Sequence, residues 1–332
     1  MLNDTIDIFC PQNTPGLHHD ARVFKETVAA VSMGKLKCRV ITVPDDFYDS
    51  PVDENGVPGE MGEVGRVALF VERIFVRNFL GGYEKRLLLA NPEWTFPQWQ
   101  APIAGLIDII LHKSVHSVAQ LTPHFPGQHH VRIGFTSLDP SRLVQDYGVF
   151  GHYRGKSTLR NTQSLIDIWQ RRDDLPPLCI QAYGPDVGFR SPRWFSDGNL
   201  HLQLYFERDE QAHFTSVART GIHLCTSETE GFGHYINEGR AMAALVMILD
   251  APPMNELIDG ATGILVPVAR QEQLNFGTRS QAEEVEIEAA IDRILSLDPA
   301  QRQAIGRNAR ESFLEGQGRF GDAVIGLLEQ LF

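Results

Sequence analysis

The chain has 332 residues, 42% hydrophobic and 22% charged, which suits two globular domains of about 150 residues each and excludes a disordered chain. Its formal net charge is −12 and neither half is net positive, which argues against a nucleic-acid partner, since phosphates need a concentrated cationic face, and against electrostatic docking on an anionic membrane. No run of about 18 apolar residues offers a transmembrane segment, residues 1–10 do not read as a signal peptide, and Cys10, Cys38, Cys179 and Cys225 form no CxxC pair, so the expected setting is the reducing cytoplasm, with the cysteines as small buried hydrophobes.

In chain order, short apolar runs alternate with longer helical periods, the pattern of an α/β fold with parallel sheets. Residues 6–10 read as a first strand, 11–19 as a turn and 20–33 as a helix. Strands follow at 38–43, 67–74, 86–90, 107–112 and 131–135, with an acidic, Pro- and Gly-containing surface loop at 45–63 and a short helix from 114. Residues 136–148 read as a linker, dividing the chain into domains 1–140 and 141–332. The second round has strands at 149–153, 178–183, 200–206, 221–226, 245–250 and 263–267, and helices at 158–171 and 235–244. From 281 onward the chain reads as helical with a break at Asp298-Pro299, and the last stretch, 319–332, is apolar on one face. That stretch packs either on its own domain or back on the first.

The informative string is Ser227-Glu228-Thr229-Glu230-Gly231-Phe232-Gly233-His234-Tyr235-Ile236-Asn237-Glu238, which joins a strand to a helix. Two glycines let backbone N–H groups approach a ligand, and a helix N-terminus presents orphan donors and a positive dipole end to a diphosphate. Carboxylates beside such a site, Glu230 in the turn and Glu238 about one helical turn on, suit sugar and ribose hydroxyls. The bland alternative makes Glu230 a cap and Glu238 a solvated helix residue. A basic strand-to-helix turn, Arg154-Gly155-Lys156-Ser157-Thr158-Leu159-Arg160, opens the same half. At a spacing of four, Lys156 and Arg160 share one side of a helical turn.

Glu230-Gly231-Phe232-Gly233 with Glu238 resembles the E-G-F-G and E-x7-E signature of glycosyltransferase family 4 and its GT-B relatives. The likeness continues through Pro253-Met254-Asn255-Glu256-Leu257-Ile258 and Gly263-Ile264-Leu265-Val266-Pro267. The resemblance implies two Rossmann-like domains around a central cleft, an acceptor-side first domain and a sugar-nucleotide-binding second one. It implies a retaining, metal-independent hexosyltransferase that needs no cofactor and passes a sugar from a nucleotide-diphosphate donor to a glycan or other hydroxyl acceptor by front-face attack.

It further implies that Glu230 contacts donor-sugar hydroxyls, that Gly231, Phe232, Gly233 and His234 line the sugar and distal phosphate, and that Glu238 holds the ribose. Lys156 and Arg160, with Arg154 beside them, would neutralise the departing diphosphate, although this turn carries Arg and Asn161 where the family has Lys and Gly. Tyr183 and Phe206 would lie near the base, and Gly16 near the donor phosphate, although one glycine stands where the family has two. His18, His19 and Asn91-Pro92-Glu93-Trp94 fall on the acceptor side or are plain surface. His112 and His116 are the candidates for the family's donor-side histidine. Neither they nor His129-His130 have a metal-binding context. A dinucleotide-dependent oxidoreductase is excluded, because residues 11–19 lack G-x-G-x-x-G. A non-catalytic GT-B module binding a sugar nucleotide or glycan remains the alternative, and a GT-B epimerase or phosphorylase would share the fold.

Overall fold

A computed structural model describes residues 3–49, 64–184, 194–205 and 209–332. The chain forms two compact units: unit 1 comprises Met1–Ser137, Gln273–Thr278 and Gly316–Phe332, and unit 2 comprises Leu138–Glu272 and Arg279–Glu315.

Unit 1 is built on a six-stranded parallel sheet in the order β2-β1-β3-β4-β5-β6. The strands are β1 (Asn3–Pro11), β2 (Lys37–Val43), β3 (Gly65–Val71), β4 (Lys85–Ala90), β5 (Ile109–His112) and β6 (His129–Arg132). Helix α1 (Pro15–Val31) follows β1, α2 (Asp46–Asp49) follows β2, and α3 (Gln100–Leu106) and α4 (Val115–Leu121) flank β5. The strands are Val/Ile/Leu-rich because a parallel sheet is covered on both faces. Phe9, Phe70, Phe75, Leu88 and Ile110 are fully buried in one core, which Phe276 joins. Growth of the sheet reverses between β1 and β3, so their carboxyl ends open a crevice at a topological switch point.

Unit 2 has a seven-stranded sheet in the order β13-β12-β11-β7-β8-β10-β9, parallel except for β9 against β10. Its strands are β7 (Phe150–Gly155), β8 (Leu178–Tyr183), β9 (Trp194–Asp197), β10 (Leu200–Tyr205), β11 (Ile222–Cys225), β12 (Leu245–Leu249) and β13 (Gly263–Val266). The helices are α5 (Thr162–Arg171), α6 (Glu210–Val217), α7 (His234–Ala241), α8 (Glu284–Ser296) and the part of α9 (Pro299–Leu331) up to Glu315, the rest of α9 belonging to unit 1. From β7 the sheet grows through β8 and β10 to one side and through β11, β12 and β13 to the other. The switch point therefore lies between β7 and β11. Trp169, packed edge-on against Phe150 at 5.3 Å, anchors α5 on this sheet.

The α/β class and the parallel sheets agree with the sequence pattern. Three differences have local causes. Helix α1 begins at Pro15, five residues earlier than read, because Pro fits the first turn of a helix. Helix α5 begins only at Thr162, because Asn161 before it is left-handed, with φ +49. Strands β14 (Arg270–Leu274) and β15 (Gly277–Gln281) form a separate hairpin that the sequence reading left unassigned. Their polar residues carry no alternation. No helix among the described residues is long and apolar enough to cross a membrane.

Candidate functional site

The loops leaving β7 and β11 meet at the switch point of unit 2. A register shift between Tyr153 and Gly155 in the β7–β8 pairing, with Gly155 at φ +60, turns the chain sharply at the end of β7. Three hydrogen bonds then join the loops. Asn161 Nδ2 donates to Thr226 O (2.9 Å), Thr226 Oγ1 to Arg160 O (2.8 Å), and Glu228 N to Leu159 O (2.9 Å).

Arg160 is the centre of this junction. Its Nη1 donates to Tyr153 O at 2.8 Å and Arg154 O at 3.0 Å, and its guanidinium lies 3.8 Å from the Tyr235 ring centroid. Nη2 is 3.3 Å from Glu230 Oε1. Burial opposes the charge, and Glu230, Tyr235 and Glu238 outweigh it, so the guanidinium holds its proton more firmly than usual. Glu230 Oε1 also accepts from Ser227 Oγ at 2.6 Å, and Ser227 Oγ contacts Tyr235 Oη at 2.5 Å. Glu230 Oε2 accepts no hydrogen bond from the described residues, which leaves it for a ligand hydroxyl.

Helix α7 opens at Gly233, whose φ of +98 is open to glycine and strained for other residues. A Cβ there would sit 3.0 Å from Ile236 Cδ1. No side chain caps this N-terminus, and helix N–H groups left without a side-chain cap suit an anion. Phe232 is buried with its ring edge-on to His234 at 5.3 Å. One turn along, Glu238 is buried, and its Oε2 lies 3.5 Å from His213 Nε2 on α6. Glu230, Gly231, Phe232, Gly233, His234, Glu238 and Arg160 thus gather around one helix end.

Other sequence-derived residues fall differently. Lys156 and Arg160 do not share a helical turn, because residues 156–161 precede α5. Lys156 is exposed, with Nζ 4.6 Å from the Tyr183 ring centroid. Tyr183 packs edge-on against Tyr205 at 5.9 Å, so two tyrosines stand at the carboxyl ends of β8 and β10. Phe206 lies outside the described residues. Arg154 is buried at the end of β7. Gly16 lies in the first turn of α1, not in a loop, and a Cβ there would meet nothing within 4 Å. His19 and Glu93 are buried and are not surface residues.

His112 cannot serve as a donor-side histidine, since both its nitrogens are engaged. His130 Nε2 contacts the Phe125 carbonyl at 2.8 Å, which only accepts, so His130 Nδ1 is left as an acceptor for His112 Nε2–H at 2.8 Å. His112 Nδ1 then accepts from Ser117 Oγ at 2.8 Å. Burial pushes His112 down to about 4.

Sequence reasoning missed the knot at Glu228. The Arg279 guanidinium grips its carboxylate, and Ser280 N donates to its carbonyl at 2.7 Å, so β15 holds the site turn from behind. Arg279 belongs to no motif, and only the fold reveals it.

No family model and no curated protein matches the sequence. Solved structures do. A sucrose-phosphate synthase from Thermosynechococcus elongatus is 14% identical, with 99% of each chain covered and a TM-score of 0.69. A glycosyltransferase from Rickettsia africae is 11% identical, covering 99% of this chain and 98% of that one, with a TM-score of 0.67. Anabaena HepE, solved in complex with UDP and glucose, is 12% identical, covering 98% and 99%, with a TM-score of 0.63. At these identities the likeness establishes the fold.

Proposed function

We propose that this chain, which has the GT-B fold of glycosyltransferases, moves a hexosyl group from a nucleotide-diphosphate sugar to a hydroxyl acceptor with retention. The observation that carries the reading is the Arg160–Glu230 contact beside the uncapped N-terminus of α7. A cation and a row of N–H groups suit a diphosphate, and a carboxylate oxygen beside them suits a sugar hydroxyl. Similarity to a structure solved with UDP and glucose supports the same ligand class. In this reading Glu230 Oε2 takes a donor-sugar hydroxyl, Glu238 takes the ribose, and Tyr183 lies towards the base. As the bond from the anomeric carbon to the phosphate oxygen breaks, Arg160, Lys156 and the α7 N-terminus stabilise the charge gained by the leaving diphosphate. The acceptor oxygen bonds to the anomeric carbon on the same face, and its proton passes to the departing phosphate. The reaction uses no protein-bound metal and no cofactor, and the chain works in the cytoplasm.

The test is calorimetric titration and nucleotide release with UDP-, GDP-, ADP- and TDP-sugars in EDTA. One donor class binds, and Arg160→Met weakens it by about 10- to 100-fold, the value of a lost charge-assisted bond. Folded protein that binds no donor, or an Arg160→Met variant that binds as tightly as wild type, defeats the proposal.

A further inference from the structure

Two donors converge on one oxygen of Glu230, and a single residue of unit 2 touches both of them. Glu230 Oε1 accepts from Ser227 Oγ at 2.6 Å and has Arg160 Nη2 at 3.3 Å. Tyr235, the second residue of α7, is buried in the core of unit 2. Its hydroxyl meets Ser227 and its ring meets Arg160. A phenylalanine would fill the same space without taking a hydroxyl out of water, so the hydroxyl is the part that calls for a reason.

A carboxylate only accepts, so the Ser227 hydroxyl proton points to Glu230 Oε1. Ser227 Oγ then offers only lone pairs to Tyr235 Oη, 2.5 Å away, and the phenol must be the donor there. Tyr235 Oη in turn accepts from Ser227 N at 3.1 Å. Burial keeps the phenol protonated well above its usual range, so that donor is always present. Each hydroxyl therefore has one orientation, and the relay ends on Glu230. The ring acts on the cation. The Arg160 guanidinium lies 3.8 Å from the Tyr235 ring centroid, while its Nη1 is held by the carbonyls of Tyr153 and Arg154. Arg160 Nε is buried and meets no acceptor among the described residues, so the electron-rich ring stands where an acceptor would. Ring and hydroxyl thus serve different groups, Arg160 on the phosphate side of the proposed site and Glu230 on its sugar side.

We infer that Tyr235 is a positioning residue with two separable parts: its ring fixes Arg160 for the diphosphate, and its hydroxyl, through Ser227, fixes Glu230 for the sugar. This rests on the donor reading given above. Removing the hydroxyl alone costs recognition of the sugar and spares that of the nucleotide diphosphate.

The experiment is calorimetric titration of the full chain with matched pairs: UDP-glucose and UDP, GDP-mannose and GDP, ADP-glucose and ADP, TDP-glucose and TDP. For the pair that binds, Tyr235→Phe weakens the sugar-bearing member by about tenfold and leaves the bare diphosphate within about twofold. Ser227→Ala does the same, and the double variant Tyr235→Phe/Ser227→Ala adds nothing further, because both break one relay. Tyr235→Leu, which also removes the ring, weakens both members by about tenfold. A second readout needs no ligand. In protein labelled with 15N-arginine, the Arg160 Nε–H signal, identified by its loss in Arg160→Met, is shifted upfield by the Tyr235 ring, stays in place in Tyr235→Phe and moves downfield in Tyr235→Leu. The inference falls if Tyr235→Phe weakens both members of the pair equally, which is the signature of a purely structural residue, or weakens neither. It falls equally if the two single variants add in the double, or if the Arg160 signal ignores Tyr235→Leu. Folded wild-type protein that binds no pair overturns the donor reading and this inference together, whereas a bound pair whose two affinities keep their ratio in Tyr235→Phe overturns only this one.

Discussion

Lowering the pH should loosen unit 2 from beneath its proposed donor site, through His152. This side chain is fully buried in β7. Its Nδ1 contacts the Leu224 carbonyl at 2.7 Å and must donate, and its Nε2 contacts Thr162 Oγ1 at 2.8 Å, so one neutral imidazole ties β7 to β11 and α5. Burial is the main force pushing it down, from 6.5 to about 4. Above pH 6.5 both folded and unfolded forms are neutral and the contribution to stability is intact. As the pH falls the unfolded chain protonates first, so stability drains away between about 6.5 and 4 and then levels off. A gap of that size corresponds to about 3 kcal/mol, with a limiting slope of about 1.4 kcal/mol per pH unit for one proton. His223, also pushed down to about 4 by burial, adds a second proton over the same window. Urea unfolding followed by far-UV circular dichroism, repeated from pH 7 to 4.5, measures the slope. His152→Gln keeps one donor and one acceptor without titrating. It should match wild type to about 1 kcal/mol at pH 7 and remove one proton from the pH dependence. A variant with an unchanged slope, or a His152 NMR titration near 6.5 in the folded protein, would refute the reasoning.

Gly233→Ala should destabilise by about 1–2 kcal/mol, the cost of a left-handed non-glycine residue, and weaken the donor, because the helix N-terminus must shift. A Tm equal to wild type would contradict the φ-based argument. Arg279→Met releases Glu228 from behind the site turn. Because Arg279 is 31% exposed, the stability loss should stay near 1 kcal/mol. Donor affinity should fall by a few-fold at most, and a loss as large as that of Arg160→Met in the same calorimetric titration would mean Arg279 touches the ligand. Raising the pH should destabilise unit 1 through Glu72, whose carboxyl is raised by burial. Its contribution is complete below the unfolded carboxyl value and declines as the pH passes the folded one. Glu72→Gln should flatten that decline in unfolding experiments.

What the sequence showed and what it hid follow from the range of each interaction. Parallel strands announce themselves as apolar runs, and the turn from Glu230 to Gly233 carries its own glycines, so both were legible. Lys156 and Arg160 were misplaced because spacing by four means a shared face only inside a helix. Whether the helix has begun depended on one left-handed residue, Asn161. Hairpin β14–β15 is polar on both faces and left no periodicity to read. Arg279 matters only because β15 brings it to Glu228, 51 residues away in sequence.

Glu72 is the instructive contrast with Gly233. Both sit at left-handed backbone positions beside a switch point, with φ +66 and φ +98. At Gly233 the residue type fits the backbone, so a motif reader sees the turn in the letters. At Glu72 the residue type conflicts with the backbone, and nothing in the letters says so, since glutamate after an apolar run reads as the polar end of a strand. A glycine there would relieve the turn, and an alanine would still remove the buried charge. The glutamate persists against two local preferences, backbone and solvation, and its hydrogen bond from Asn91 Nδ2, an amide that also accepts from Lys113, offsets part of that cost. Glu72→Gly therefore sets two effects against each other: it relieves the left-handed turn and leaves Asn91 Nδ2 without its carboxylate partner.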